Sequence, residues 1–319
     1  MKNYIFSRLL IVFLGSLMVS GCGHRPIPSY NAPSVLSEAL INKDKEIGVC
    51  LVLGGGGSRG VAHVGVLEVL EEAGIPIDMI VGTSVGSAIG AFYADYANAK
   101  MVKNKVMHLK KWDLLDLSYA NALLGLIRPM GGVSGTHLRS YLYENMGAKN
   151  IEDLQIPFVA VATDIIKNKS FAIDAGPVAP AVHASSALPP VFTPVELYGR
   201  TLVDGGAIEP TPVPTAKKYN PKLIISVDIS SPPDEGDLDS MLYVTYRALH
   251  NAYYELSRMQ SKLADVDIHP DLKGFGTFED HRNLEVYEKG KEAARKALPL
   301  IREKMAFLGI EGRPQRDSN

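Results

Sequence analysis

At 319 residues the chain is long enough to bury a full hydrophobic core, as one large domain or two smaller ones. Apolar residues make up 46% and charged residues 21%, a globular rather than a disordered composition. The 33 basic and 35 acidic residues give a formal net charge of −2, so no broad cationic surface and no nucleic-acid partner is expected.

The chain opens with Lys2 and Arg8 flanking the start of an apolar run, Leu9 to Val19. A bilayer span needs about 20 apolar residues, and this run is only 11 long. It fits the hydrophobic region of a secretory signal. The run closes on Val19-Ser20-Gly21-Cys22, small residues leading into a cysteine. Residues 1–21 thus resemble a bacterial lipoprotein signal, in which cleavage is coupled to lipidation of Cys22. The plainer alternative is an ordinary signal peptide or uncleaved anchor with Cys22 incidental. Residues 22–46 are rich in Pro, Ser and Asn and read as a flexible tether. Cys50 is the other cysteine of the chain; in an apolar run, it is expected to be a buried core thiol.

From residue 47 strand-like and helix-like segments alternate. Strands are expected at 47–53, 77–82, 158–165, 201–206, 223–229 and 266–270. Helices are expected at 61–74, 87–97, 100–117, 136–146, 176–187, 239–263 and 284–307. Continuous apolar strands such as "IGVCLVL" suit a sheet covered on both faces. The alternation predicts an α/β domain over 47–310 with a mostly parallel sheet between helices, followed by a tail at 311–319. Ligands of such sheets bind beyond the carboxyl ends of the strands.

Two strand ends carry unusual chemistry. "LVLGGGGSRG" ends the first strand, and residues 55–60 satisfy G-x-G-x-x-G between a strand and a helix. A dinucleotide site would also need an acidic residue closing the second strand, whereas Asp78 opens it. A phosphate-binding loop would need Lys and Ser/Thr where Val61 and Ala62 stand. The second strand ends in Gly82-Thr83-Ser84-Val85-Gly86, a G-x-S-x-G nucleophile elbow at a strand–turn–helix corner. Attack by Ser84 on an ester would create an oxyanion needing preorganised donors. The amides of Gly55, Gly56 and Gly57 are assigned to that oxyanion hole. Ser58, Arg59 and Gly60 complete the loop, with Arg59 bracing it or lying in solvent.

A hydroxyl nucleophile needs a base. Eight histidines leave a triad open, but none sits in a recognisable motif. Asp204-Gly205-Gly206 closes the strand at 201–206 and offers a carboxylate at the same end of the sheet. GGGGSRG, GTSVG and DGG, in this order, resemble the patatin-like phospholipase family. The likeness extends to "GGVSGTHLRSYL", "DLQIPFVAVATDI", "ASSALPPVFTPVEL" and "ISVDIS", roughly residues 47–230. Within bacteria it resembles the compact single-domain members related to the neuropathy-target-esterase catalytic domain. The resemblance implies a three-layer α/β/α sandwich and a Ser84–Asp204 dyad without histidine. It also implies a lipid acyl ester as substrate, with neither metal nor cofactor. Residues 112–127, leucine-rich and holding the chain's tryptophan, are either a substrate-covering element or a core helix. With Cys22 lipidated and Gly23 following it, a membrane-anchored envelope protein is expected. If the cell is Gram-negative, the outer membrane is favoured, facing the periplasm or the surface. The rival readings are a dinucleotide-dependent enzyme and a catalytically silent binding lipoprotein.

Overall fold

The computed structural model describes residues 46–109, 133–233, 240–277, 279 and 281–313. Residues 1–45, which hold the signal, Cys22 and all but the last residue of the tether, and the 112–127 segment lie outside the described residues.

Eight strands form one mixed, mostly parallel sheet. They are β1 (Val49–Leu53), β2 (Met79–Thr83), β3 (Phe158–Asp164), β4 (Lys169–Ile173), β5 (Val195–Leu197), β6 (Arg200–Asp204), β7 (Leu223–Val227) and β8 (Val266–Ile268). The order is β5-β6-β3-β2-β1-β7-β8, with β4 on the remaining edge of β3. β1, β2, β3, β7 and β8 pair in parallel, and β4, β5 and β6 are antiparallel to their neighbours.

The helices are α1 (Val61–Glu72), α2 (Val85–Tyr96), α3 (Ala99–Val106), α4 (Thr136–Asn145), α5 (Val178–Ser185), α6 (Val213–Lys217), α7 (Met241–Ser261) and α8 (Asn283–Leu308). Side-chain alternation divides the strands between two cores. Val49, Leu51, Leu53, Ile80, Phe158 and Ile225 face a core shared with Leu67 of α1, Ile89 of α2 and Ile301 of α8. Cys50, Val52, Met79, Val81, Val159 and Ile224 face the other, closed by Val213 and Ala216 of α6. Helix α7 lies on this second side, where Ser226 Oγ donates to the Ser261 carbonyl. The result is the expected helix–sheet–helix sandwich. Cys50 is a buried free thiol.

Strands β4 and β5 and helix α6 had no counterpart among the expected elements. β4 is half-exposed at an edge and β5 has three residues, so neither carries a distinct hydrophobic period. Helix α3 ends at Val106, and residues 107–109 are non-helical, although helix was expected to 117. Among the described residues no helix is long and apolar enough to cross a membrane.

Candidate active site

The carboxyl ends of β1 and β2 are adjacent, with Leu53 paired to Gly82. Beyond β2 the chain turns into α2 through Ser84, whose φ of 55° and ψ of −127° are strained for a residue with a side chain. Strain of this kind persists only when the surroundings hold it. The Ser84 N–H donates to Ser185 Oγ at 2.9 Å. The Ser84 carbonyl accepts from Ser87 N at 2.9 Å and Ser87 Oγ at 2.6 Å. The flanking glycines let the corner close: a β-carbon on Gly86 would stand 2.2 Å from the Leu53 carbonyl oxygen, and one on Gly82 would stand 2.6 Å from the Gly86 oxygen. The Ser84 side chain remains half-buried at the corner.

Asp204 reaches Ser84 through sheet register. Strand β2 pairs with β3 as far as Thr83–Val161. Strand β6 takes the next positions, Ala162–Asp204 to Asp164–Leu202, while β4 covers the opposite edge of β3. β2 and β6 therefore share one edge of β3 and run toward each other. Their carboxyl ends meet head-on, with Ser84 just past one and Asp204 at the other. Asp204 is 3% exposed, and the Ser84 side chain is the neighbour that does most to favour its charged form. Its carboxylate accepts from Gly206 N at 2.7 Å. Burial pushes its pKa up to about 6, against the opposing effects of the Ser84 side chain and the Gly206 amide. Gly205 permits the turn, since a β-carbon there would stand 2.2 Å from the Val161 oxygen.

The glycine loop lies beside this corner, and one of its assigned donors is corrected. Gly55 N donates to the Pro210 carbonyl at 2.9 Å, so it is not available to an oxyanion. Its neighbours Gly54 N and Ser58 N are likewise taken, by the Val227 and Thr277 carbonyls at 3.0 and 2.8 Å. Among the described residues the Gly56 and Gly57 amides have no such partner. Gly57 has φ of 61° and a turn of 3-10 helix, Gly57–Gly60, follows. Arg59 is buried, and its Nε donates to the Gly56 carbonyl at 3.2 Å, within the loop. Gly60 packs on Val85 at the start of α2, tying the loop to the elbow.

No histidine is hydrogen-bonded to Ser84 or Asp204 in the described residues. His63 is buried on α1, with Nε2 2.8 Å from the Gly54 carbonyl, which fixes Nε2 as the protonated nitrogen. Burial pushes its pKa down to about 4, so it is neutral at physiological pH. His183 Nδ1 lies 3.2 Å from Arg139 Nη1, His269 Nδ1 lies 2.8 Å from the Asp228 carbonyl, and His281 pairs with Glu279. Asp78 sits at the amino end of β2, where it accepts from Val49 N at 2.9 Å and pairs with Arg313 at 3.0 Å. A ribose beside the glycine loop would be out of its reach.

The family model described as "Patatin-like phospholipase" matches residues 51–217, which contain the glycine loop, the elbow and Asp204. The chain belongs to this family. It is 36% identical over 229 residues to patatin-like phospholipase domain-containing protein 6 of Homo sapiens, covering 70% of this chain and 16% of that protein. It is 31% identical over 304 residues to lysophospholipase NTE1 of Phaeosphaeria nodorum, covering 85% of this chain and 19% of that protein. The chain thus spans about a fifth or less of the length of these relatives. The solved structure of VipD from Legionella pneumophila aligns with a TM-score of 0.49 and 15% identity, covering 82% of this chain and 67% of that one.

Two residues at the site were not singled out from the sequence. Ser185 ends α5 and bridges the elbow to β3, accepting from Ser84 N and donating to the Val161 carbonyl at 2.6 Å. Tyr253 lies in the middle of α7, against Gly55 of the glycine loop and Gly206 of the Asp204 turn. The only signal for Ser185 was its place in the family-like stretch "ASSALPPVFTPVEL". Ser185→Ala leaves two buried backbone groups short of a partner, which costs about 1–3 kcal/mol each at most. Because it frees the strained turn, kcat is expected to fall roughly 10- to 100-fold. Steady-state kinetics with a thermal melt of the same preparation checks both effects.

Proposed function

We propose that this chain is a lipid acyl hydrolase that works through an acyl-enzyme on Ser84. The buried Asp204 carboxylate beside the Ser84 side chain, with no histidine hydrogen-bonded to either among the described residues, carries the reading. Asp204 takes the Ser84 proton as Oγ bonds to the ester carbonyl carbon, and the carbonyl electron pair moves onto oxygen. The Gly56 and Gly57 amides receive that negative charge. The oxyanion then collapses, the bond to the leaving alcohol breaks, and Asp204 returns the proton to that alcohol. Water repeats the sequence, giving its proton to Asp204 and releasing the fatty acid. A pKa of about 6 suits the role, since the carboxylate is ionised at neutral pH yet more basic than an exposed aspartate.

The lipid substrate rests on family membership, and on relatives whose own names are phospholipase and lysophospholipase. Incubation with a defined panel of phospholipids, lysophospholipids and neutral glycerides, with products identified by mass spectrometry, tests it. Release of free fatty acid by the wild type but not by Ser84→Ala is expected. Equal release by both, or none from any lipid, would contradict the reading.

Anchoring through lipidated Cys22 belongs to the same proposal, supported by the small-residue run before that cysteine. Cys22→Ser is expected to abolish metabolic labelling with palmitate and to shift the protein out of the membrane fraction or leave it unprocessed. Unchanged labelling would place any lipid elsewhere.

A further inference from the structure

Helix α7 is locked onto the sheet by a polar network. Ser257 Oγ donates to Asp228 at 2.9 Å and lies 2.7 Å from Thr211 Oγ1. Arg258 Nη1 pairs with Asp228 at 2.8 Å and with Asp267 at 3.0 Å. Gln260 Nε2 donates to the Ile208 carbonyl at 2.8 Å. Asp228 is fully buried, so breaking this network would strand a charge. The helix is a fixed wall of the site.

One turn before this network, Tyr253 reaches the reacting centre. A β-carbon on Gly206 would stand 2.7 Å from Tyr253 Cε2 and 3.0 Å from Asp204 Oδ1, so the ring lies against the Asp204 turn. A β-carbon on Gly55 would stand 2.6 Å from the Tyr253 hydroxyl oxygen and 3.2 Å from Ser84 Cβ. The hydroxyl therefore sits over Gly55, next to the nucleophile, where the Gly55 amide has turned away to Pro210. Among the described residues it has no hydrogen-bond partner.

We infer that the Tyr253 hydroxyl is a further catalytic donor, which hydrogen-bonds the oxyanion formed on Ser84 attack and stands in for the Gly55 amide. The inference rests on the acyl-hydrolase reading above. Burial first, and then the charge of Asp204, push the phenol above its ordinary range, so it stays a donor throughout the working pH. No proton leaves it: the Ser84 proton goes to Asp204, and the carbonyl oxygen that gains the electron pair accepts the phenolic O–H.

Tyr253→Phe keeps the ring against Gly206 and removes only the oxygen. On a p-nitrophenyl ester its kcat is expected to fall roughly 100-fold, the usual effect of losing one oxyanion donor. KM and the melting temperature should stay near those of the wild type. Tyr253→Ala should be no faster than Tyr253→Phe. A fall in kcat of less than about tenfold in Tyr253→Phe, short of the range for such a donor, would overturn the inference, as would a defect confined to KM. A Tyr253→Ala variant faster than wild type would instead make the ring an obstruction. Wild type and Ser84→Ala run alongside: activity lost only in Ser84→Ala keeps the hydrolase reading whatever Tyr253 does, and activity unchanged in Ser84→Ala removes the basis of both.

Discussion

Asp204→Asn is expected to reduce kcat/KM by roughly 100- to 10,000-fold, the range of a general base. Its loss should approach that of Ser84→Ala. Asparagine keeps the shape and can still accept from Gly206 N through its side-chain oxygen, so the turn is preserved. What disappears is the acceptor for the Ser84 proton. Ala at His63, His183, His250, His269 or His281, one at a time, should cost far less. His63 needs a melt alongside, because it is buried and holds the Gly54 carbonyl of the loop. One folded histidine variant as inactive as Ser84→Ala would replace the dyad with a triad.

The same Asp204→Asn substitution should make the protein more stable at pH 8. The Asp204 carboxyl has a folded pKa of about 6 against an ordinary 3.8, because burial disfavours its charge. The folded state therefore binds the proton more tightly than the unfolded chain. Stability from this group is fully present below pH 3.8 and is lost as pH rises through about 6. At pH 8 the buried charge costs about 3 kcal/mol, because a tenfold difference in proton affinity between folded and unfolded chains is worth roughly 1.4 kcal/mol. Asparagine avoids that cost, so its melting temperature should exceed the wild type's by several degrees at pH 8. The advantage should shrink toward zero near pH 4. The comparison must be between variant and wild type, since His63 works the other way. Its folded pKa of about 4 lies below the ordinary 6.5, so both proteins lose stability as pH falls across that window. A variant less stable than wild type at pH 8 would mean the carboxylate is held by interactions that outweigh its burial. The acid limb of kcat/KM in the wild type should fall near pH 6 for the same reason.

The elbow was legible because its cause is local. Gly82, Ser84 and Gly86 form a spacing that only a sharp strand–turn–helix corner explains, and the structure puts backbone carbonyls where their β-carbons would be. Asp204 was legible as a carboxylate at a strand end. Its approach to Ser84 was expected only from the family resemblance, because it depends on β2 and β6 sharing one edge of β3, a long-range register with no local pattern. The fate of the Gly55 amide was hidden for the same reason: its acceptor, Pro210, comes from a loop after β6. Tyr253 sits in the helix expected at 239–263, where nothing in the local sequence sets it apart. The polar network that fixes α7 is long-range, and it holds that one ring beside Ser84 and the Asp204 turn. The short strands β4 and β5 went unnoticed because β4 is half-exposed at an edge and β5, at three residues, is too short to show a period.

The central claim, that Ser84 is a nucleophile activated by Asp204, is tested most directly by a fluorophosphonate that reacts irreversibly with activated serines. Wild-type protein should gain a single adduct, mapped by peptide mass spectrometry to Ser84. The labelling rate should fall at least about 100-fold in Asp204→Asn, in line with the loss of a general base. An adduct on another residue, or labelling of Ser84 at the wild-type rate in Asp204→Asn, would contradict the account.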